Sequence, residues 1–386
     1  MIQHCALCTS QLSHTIFKQS VPIYTFLDKG DSVKSEDFLM LEIVECDACG
    51  HVYNRAFDSK ILNKLYGNAP LPCMPVHPSM HSRHSNLLNW IGTRAFHRKH
   101  VLEIGGGSGH FARLLSSFAN HIDVYEPNPL LTKSLMPESN INIYTQSFPA
   151  PDSPVESYDF VVSRQVLEHI PEVDDTLRAI GQALKFGGLA YIEVPSLSYI
   201  INNNAYFDLH FEHVHYFSPD SIIYLASQFG LKARNTLEIM GGHDFGILFE
   251  KTGESIKKNY CHHKIDYSGL ERTFSSANSL IAQFQGNIAL YGATTQTQLF
   301  LNSLHERHGI TAVIDDSEER ENYCLYDKQG LLPVFNSSKI DLTTFGTIIV
   351  GAYLHSTIIA ERLRERDYHG TIRTIGPRLP NVDSLF

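Results

Sequence analysis

The chain has 386 residues, 43% of them hydrophobic and 19% charged, and a formal net charge of −10. That length calls for two or three hydrophobic cores, and the balance describes a folded globular protein rather than a disordered one. No apolar run could span a bilayer, the first residues do not read as an export signal, and no Lys/Arg stripe offers a footprint for nucleic acid. A cytoplasmic protein acting on small molecules is expected, with neither membrane nor nucleic acid as partner.

Two tight cysteine pairs open the chain, Cys5-Ala-Leu-Cys8 and Cys46-Asp-Ala-Cys49, the second running into Gly50-His51. Backbone amides can turn thiolates at this spacing toward one point, and two such knuckles complete a tetrahedral soft-ligand site for zinc. With Cys5, Cys8, Cys46 and Cys49 filling every position, no place is left for a substrate, so the metal serves the fold. A redox pair is the alternative, and the second pair argues against it. Cys73, Cys261 and Cys324 are scattered and odd in number, which speaks against a disulfide framework. Residues 1–75 therefore read as a zinc-binding module with short strands, and the four prolines between Gly67 and Pro78 as an ordered crossing segment.

Residues 76–253 alternate between strand and helix patterns. Apolar strands are expected at 100–104, 121–126, 142–144, 158–163 and 188–195, with helices between most of them, which implies a parallel, doubly wound sheet. Residues 254–285 read as a charged helical connection. A second α/β pattern fills 286–386, with strands at 287–291, 310–315, 346–350 and 370–375 and a helix over 356–367.

The most specific signal in the middle segment is Val101-Leu-Glu-Ile-Gly105-Gly-Gly107-Ser-Gly109: a buried strand, a glycine turn and a helix start. Turn residues without Cβ atoms let a ligand lie directly on the backbone. Glu103 stands on the strand before the turn, where a carboxylate disfavours phosphate and suits a cationic amino-acid tail. Glu126 ends the next strand, where an acid can take both hydroxyls of a ribose. A pyridine-nucleotide dehydrogenase is the competing reading, and its third glycine is misplaced here. Together these features resemble the S-adenosylmethionine site of class I methyltransferases. The resemblance implies that Glu103, Gly105, Gly107, Gly109 and Glu126 hold the cofactor. It also implies adenine near Ser147 and Phe148 after the third strand, and a cofactor contact from Arg164 in the next motif, Ser163-Arg-Gln-Val-Leu-Glu168-His169.

The densest group of titratable and aromatic residues is Tyr206-Phe-Asp208-Leu-His210-Phe-Glu212-His213-Val-His215-Tyr216-Phe217-Ser218-Pro. It follows the fifth strand, at the edge where such sheets bind ligands, and Ser218 is placed to cap a helix over 222–229. Histidine exchanges protons near neutrality, and a neighbouring carboxylate can orient it or raise its pKa. In order along the chain come the paired cysteines, the cofactor core, Ile192-Glu-Val-Pro195, the Glu-His loop and a C-terminal Tyr291-Gly-Ala α/β segment. This order resembles the sugar C-methyltransferases that act on nucleotide-linked 4-keto-6-deoxy sugars. The resemblance implies an enolate route with His213 as base, Glu212 tuning it, His169 or His210 polarising the ketone, and Tyr66 and Tyr216 at the substrate. His210 stands where the family carries tyrosine, and Tyr66 alone matches its tyrosine-rich segment. An O- or N-methyltransferase acting on another small metabolite is the runner-up, and a zinc scaffold with a vestigial pocket is a third reading.

Smaller signals are read blandly. His77, His81 and His84 fall on one face if Pro78 opens a helix, and read as a solvated or substrate-facing helix start rather than a second metal site. The C-terminal domain is expected to be Rossmann-like. Its turn, Gly292-Ala-Thr, keeps a single glycine, so a second bound nicotinamide is not expected there.

Overall fold

A computed structural model describes residues 2–61, 78–134, 138–203, 205–254, 266–269, 278–279, 281–376 and 383–384. Tyr66, Cys73, His77 and Cys261, most of the expected crossing segment and most of the 254–285 connection lie outside the described residues. The chain divides into two compact units that interleave along the sequence. One comprises Met1–His14, Val44–Leu197 and Glu212–His263, the other Thr15–Ile43, Ser198–Phe211 and Lys264–Phe386. The serial boundaries expected from the sequence do not coincide with them.

The first unit is built on a seven-stranded sheet. Its strands lie in the order Leu231–Ile239, Asp244–Lys251, Leu184–Pro195, Tyr158–Arg164, His100–Ile104, His121–Tyr125 and Ile141–Tyr144. The five expected strands are present and parallel, with ends shifted by a few residues. The Leu231–Ile239 and Asp244–Lys251 pair is antiparallel, so the sheet is mixed rather than wholly parallel. The hairpin is absent from the expected strands, although its outer strand alternates apolar Leu231, Ala233, Leu237 and Ile239 with charged Lys232, Arg234 and Glu238.

Side chains alternate across the sheet, as a period of two requires. Leu102, Ile104 and Val161 pack into a core that also holds Phe217, Ile222, Tyr53 and the knuckle residues Cys5, Leu7, Cys46 and Cys49. Val101, Phe160 and Val162 pack into the opposite core with Phe96, Phe111 and Leu88. The cysteine knuckles therefore share a core with the sheet. Helix Pro78–Ile91 begins at the expected proline, and Pro219–Ser227 begins behind Ser218, whose side chain accepts a hydrogen bond from the Ser221 amide.

A buried ion cluster braces the far strands. Arg83 donates to Glu193 and Asp244, each at 2.6 Å, and Tyr191 donates to the other oxygen of Glu193 at 2.8 Å. Paired and hydrogen-bonded in this way, the charges can remain buried.

The second unit carries an eight-stranded sheet with Ile288–Tyr291 between Thr347–Val350 and Ile310–Asp315, all parallel. The acid ending the Ile310–Asp315 strand is consumed internally: Asp315 accepts from the Ala293 amide and from Arg320, both at 2.7 Å. The segment 198–211 belongs here, where buried Asp208 accepts from Tyr353 at 2.6 Å and Tyr206 bonds Ser303 at 3.1 Å.

Candidate active site

The glycine turn folds as its sequence demands. Gly105, Gly107 and Gly109 all have positive φ, at 71°, 54° and 71°. A Cβ on Gly105 would fall 2.2 Å from Val166, so that position is closed by packing. A Cβ on Gly107 would meet no atom within 4 Å, leaving open space over the turn. Glu126 braces the loop from the next strand: one carboxylate oxygen accepts from the Gly107 amide at 2.8 Å, the other from Asn128 at 2.9 Å.

A cavity of about 890 Å³ opens over this turn. Of the residues expected from the sequence, Glu103, Gly105, Gly107, Glu126, Ser147, Phe148, Arg164, His169 and Glu212 all line it. Gly109 caps helix His110–Ser116 instead, and neither His213 nor Tyr216 is among the lining residues. His210 falls in the other unit, and Tyr66 lies outside the described residues. Tyr125 and Gln165 also line the cavity, although no motif marks them as ligands; so does His84, from the helix start read as solvated or substrate-facing, and it makes an edge contact with Phe111.

The polar wall is poised for a cationic guest. Glu103 is 5% exposed, and its Oε2 has no hydrogen-bond partner among the described residues. Burial pushes its carboxyl up to about 7, while Arg164 pulls in the opposite direction. Arg164 lies over the Phe111 ring at 5.0 Å, a cation–π contact, and 3.6 Å from Glu193. The apolar wall is aromatic: Phe148 meets Tyr125 edge-on at 5.4 Å, and Tyr125 stacks on Tyr144 at 4.7 Å. A buried acid with one unpartnered oxygen, an open glycine cradle and an aromatic wall fit the ammonium, ribose and base of S-adenosylmethionine.

Across the cavity, one backbone bond and one side-chain bond tie the Glu-His loop to the Leu167–His169 turn. Val214 donates to the Glu168 carbonyl at 2.6 Å, and His169 Nδ1 donates to the Glu212 carbonyl at 3.0 Å. A carbonyl only accepts, so the proton of neutral His169 sits on Nδ1 and its Nε2 carries a lone pair. Burial holds this imidazole down at about 4, hence neutral. In that state Nδ1 donates and Nε2 can only accept a hydrogen bond. Glu212, which keeps some exposure to the cavity, has its carboxyl raised to about 7 by burial alone. His213 is 7% exposed, its ring 4.9 Å from that of His169.

The four knuckle cysteines converge as their spacing requires. Their sulfurs lie within 4.8 Å of one another, with Cys5–Cys49 and Cys8–Cys46 each at 3.5 Å. Zn–S bonds of about 2.3 Å in a tetrahedron place sulfurs roughly 3.8 Å apart, so the donor set fits zinc. The two turns repeat each other: Thr9 donates to Cys5 O at 2.8 Å and Gly50 to Cys46 O at 2.7 Å, and both donors have positive φ. Burial and the adjoining thiols push Cys8 up to about 12. Burial also opposes ionisation of Cys46, but the Cys49 and Ala48 amides prevail and lower it.

Comparison with known proteins agrees with this geometry. Residues 79–236, somewhat under half of the chain, match the family described as a methyltransferase domain. With the glycine turn and its two acids, that match defines an S-adenosylmethionine-dependent methyltransferase domain. The chain is similar to the C-methyltransferase NovU of Streptomyces niveus, 33% identical over 84 residues, which are 21% of this chain and 20% of that protein. The match thus spans about a fifth of the length of that curated relative. Among solved structures, it is similar to the N-methyltransferase NodS of Bradyrhizobium japonicum WM9 in complex with S-adenosyl-L-homocysteine. That likeness has 15% identity and a TM-score of 0.40, covering 50% of this chain and 97% of NodS. An S-adenosylmethionine-dependent methyltransferase of Mesorhizobium loti shows 12% identity and a TM-score of 0.38, over 43% of this chain and 99% of that one. Likeness at this level identifies no acceptor.

Proposed function

We propose that this protein transfers a methyl group from S-adenosylmethionine to a carbon beside the ketone of a small sugar, with a nucleotide-linked 4-keto-6-deoxy sugar as the acceptor class. The observation that carries the reading is one cavity lined both by the cofactor-type residues Glu103, Gly107 and Glu126 and by a carboxyl of raised pKa, Glu212. The similarity to NovU, a C-methyltransferase, supports the choice of carbon.

When bound, S-adenosylmethionine supplies an electrophilic methyl. The chain's own residues do the rest. Glu103 pairs with the ammonium, Glu126 accepts from the ribose hydroxyls, and Phe148 and Tyr125 pack on the base. Glu212 accepts the proton beside the ketone, and the electron pair it leaves behind delocalises into the carbonyl as an enolate. His213, next in the chain, does not line the cavity and takes no proton from the acceptor. The sequence-based order, His213 as base and Glu212 as its partner, is therefore reversed in this proposal. The four cysteines hold a structural zinc, which stabilises the loop carrying Glu212.

The acceptor reading is tested by incubating the protein with S-adenosylmethionine and a panel of nucleotide-linked keto sugars in deuterated water. A methylated product whose acceptor had exchanged one carbon-bound proton supports it. Methylation at oxygen or nitrogen without carbon exchange rejects the enolate route.

Glu103 gives this site a pH signature. The cationic tail of the cofactor binds the ionised carboxylate, whose pKa before binding is about 7. Affinity for S-adenosylhomocysteine should therefore be greatest above pH 7 and fall toward a limiting slope of about tenfold per pH unit below it. Calorimetry between pH 5.5 and 8.5 checks this, and Glu103→Gln should flatten the curve. An unchanged slope in Glu103→Gln assigns the titration elsewhere.

A further inference from the structure

We propose that Glu168, His169 and His213 form a second cation site beside the cofactor cavity, one that takes a divalent transition metal of borderline softness. Their ligand atoms, one per residue, lie within 4.8 Å of one another, with Glu168 Oε1 3.9 Å from His169 Nε2. Two imidazoles and one carboxylate are the donor set used by iron(II), zinc and cobalt(II) centres that keep open positions. Bonds of about 2.1 Å place adjacent donors roughly 3.0–3.4 Å apart, so closure asks for side-chain movement on the order of 1 Å.

The independent pointer is Glu168. It is 1% exposed, and neither carboxylate oxygen has a hydrogen-bond partner among the described residues. Its own amide offers only partial relief, and burial drives its carboxyl well above the usual range. The acids Asp244 and Glu193 lie close enough to raise it further, while the nearby cation, Arg83, is committed to both of them at 2.6 Å. A buried acid without a partner is costly, and native structures rarely leave one unexplained. A cation at this point supplies the missing charge, and the carboxyl gives up its proton on binding.

The surroundings are also built for it. Histidines that bind metals commonly donate their other ring N–H to a backbone carbonyl, which fixes tautomer and orientation. His169 does so toward Glu212, and its Nε2 lies 3.9 Å from a Glu168 oxygen. The Val214-to-Glu168 backbone bond holds the two contributing segments together. A bound cation would tie the Leu167–His169 turn to the loop and occupy a ring nitrogen of His213, leaving Glu212 as the base. This inference rests on the cluster alone and stands whatever the acceptor proves to be.

Cobalt(II) added to the zinc-loaded full chain is the test. The expected result is one further equivalent with weak d–d bands and no thiolate charge-transfer band, its affinity falling at least tenfold in Glu168→Gln and in His213→Asn. Zinc content and circular dichroism report whether each variant is folded. Paramagnetically shifted histidine resonances in the unsubstituted protein decide the question should either variant misfold. No cobalt beyond what displaces zinc from sulfur, or uptake indifferent to both substitutions, overturns the proposal.

Discussion

Replacing Glu212 with Gln should lower methyl transfer by about 10²- to 10⁴-fold, the range for loss of a positioned general base. Binding of S-adenosylhomocysteine should be unaffected. Gln keeps the shape of the side chain and leaves intact the backbone carbonyl that receives His169 Nδ1, so the loop has no structural reason to move. What disappears is a carboxylate whose pKa of about 7 suits proton transfer near neutrality. The base must be ionised to accept a proton, so turnover at saturating cofactor should rise with pH through about 7 and level off above it. In Glu212→Gln that limb should vanish along with most of the rate. Glu103 titrates in the same range but acts through cofactor affinity, so saturation with S-adenosylmethionine separates the two acids. Should Glu212→Gln retain full turnover while His213→Asn loses it, the base is His213, as the sequence alone suggested.

Much of this site is legible in the sequence, because its parts are local. Glu103, the three glycines and Glu126 lie within two strands and one turn, and the buried strands announce themselves as apolar runs. Cys-x-x-Cys spacing carries its own geometry, since the turn that gathers two sulfurs is four residues long. What stays hidden depends on distant pairings. Asp208 belongs with Tyr353, and Tyr206 with Ser303, so segment 198–211 joins the second unit and takes His210 with it. No local pattern reveals that the chain passes from one unit to the other between Phe211 and Glu212. Glu168 is equally obscure: an acid inside Val-Leu-Glu-His gains meaning only once burial shows it without a partner. The tautomer of His169, which turns it from donor into acceptor, depends on a carbonyl 43 positions away. Local spacing conveys the type of site; the direction of each hydrogen bond needs the folded chain.

Stripping the proposed zinc, or changing Cys46 to Ser, should release the loop that carries Glu212 while sparing the glycine turn. Structural zinc contributes about 10–16 kcal/mol of apparent binding energy in small modules, so its loss exceeds any single contact in this unit. The path from metal to loop is short. The Cys46 amide donates to His51 O at 2.9 Å, closing the second knuckle, and the chain continues at once into strand Val52–Asn54. That strand pairs antiparallel with His215–Tyr216, and the Asn54 amide donates to Val214 O at 2.8 Å. Side chains repeat the connection. Pro171 O can only accept, so His215 donates from Nε2 at 3.2 Å, and its Nδ1 accepts from His51 Nε2 at 3.0 Å. Both histidines are almost wholly buried, so water cannot readily replace these bonds. Without the metal, the knuckle loses its cross-link, this bridge loses one abutment, and Glu212 loses its fixed place on the cavity wall. Hydrogen exchange should show residues 212–217 and 52–54 losing protection first, while strands 100–104 and 121–125 stay protected. Turnover should fall with the first group, and affinity for S-adenosylhomocysteine should persist with the second. Loss of cofactor binding in step with turnover would instead mean that the shared core, in which Cys46 and Cys49 pack with Leu102 and Ile104, unfolds as one piece.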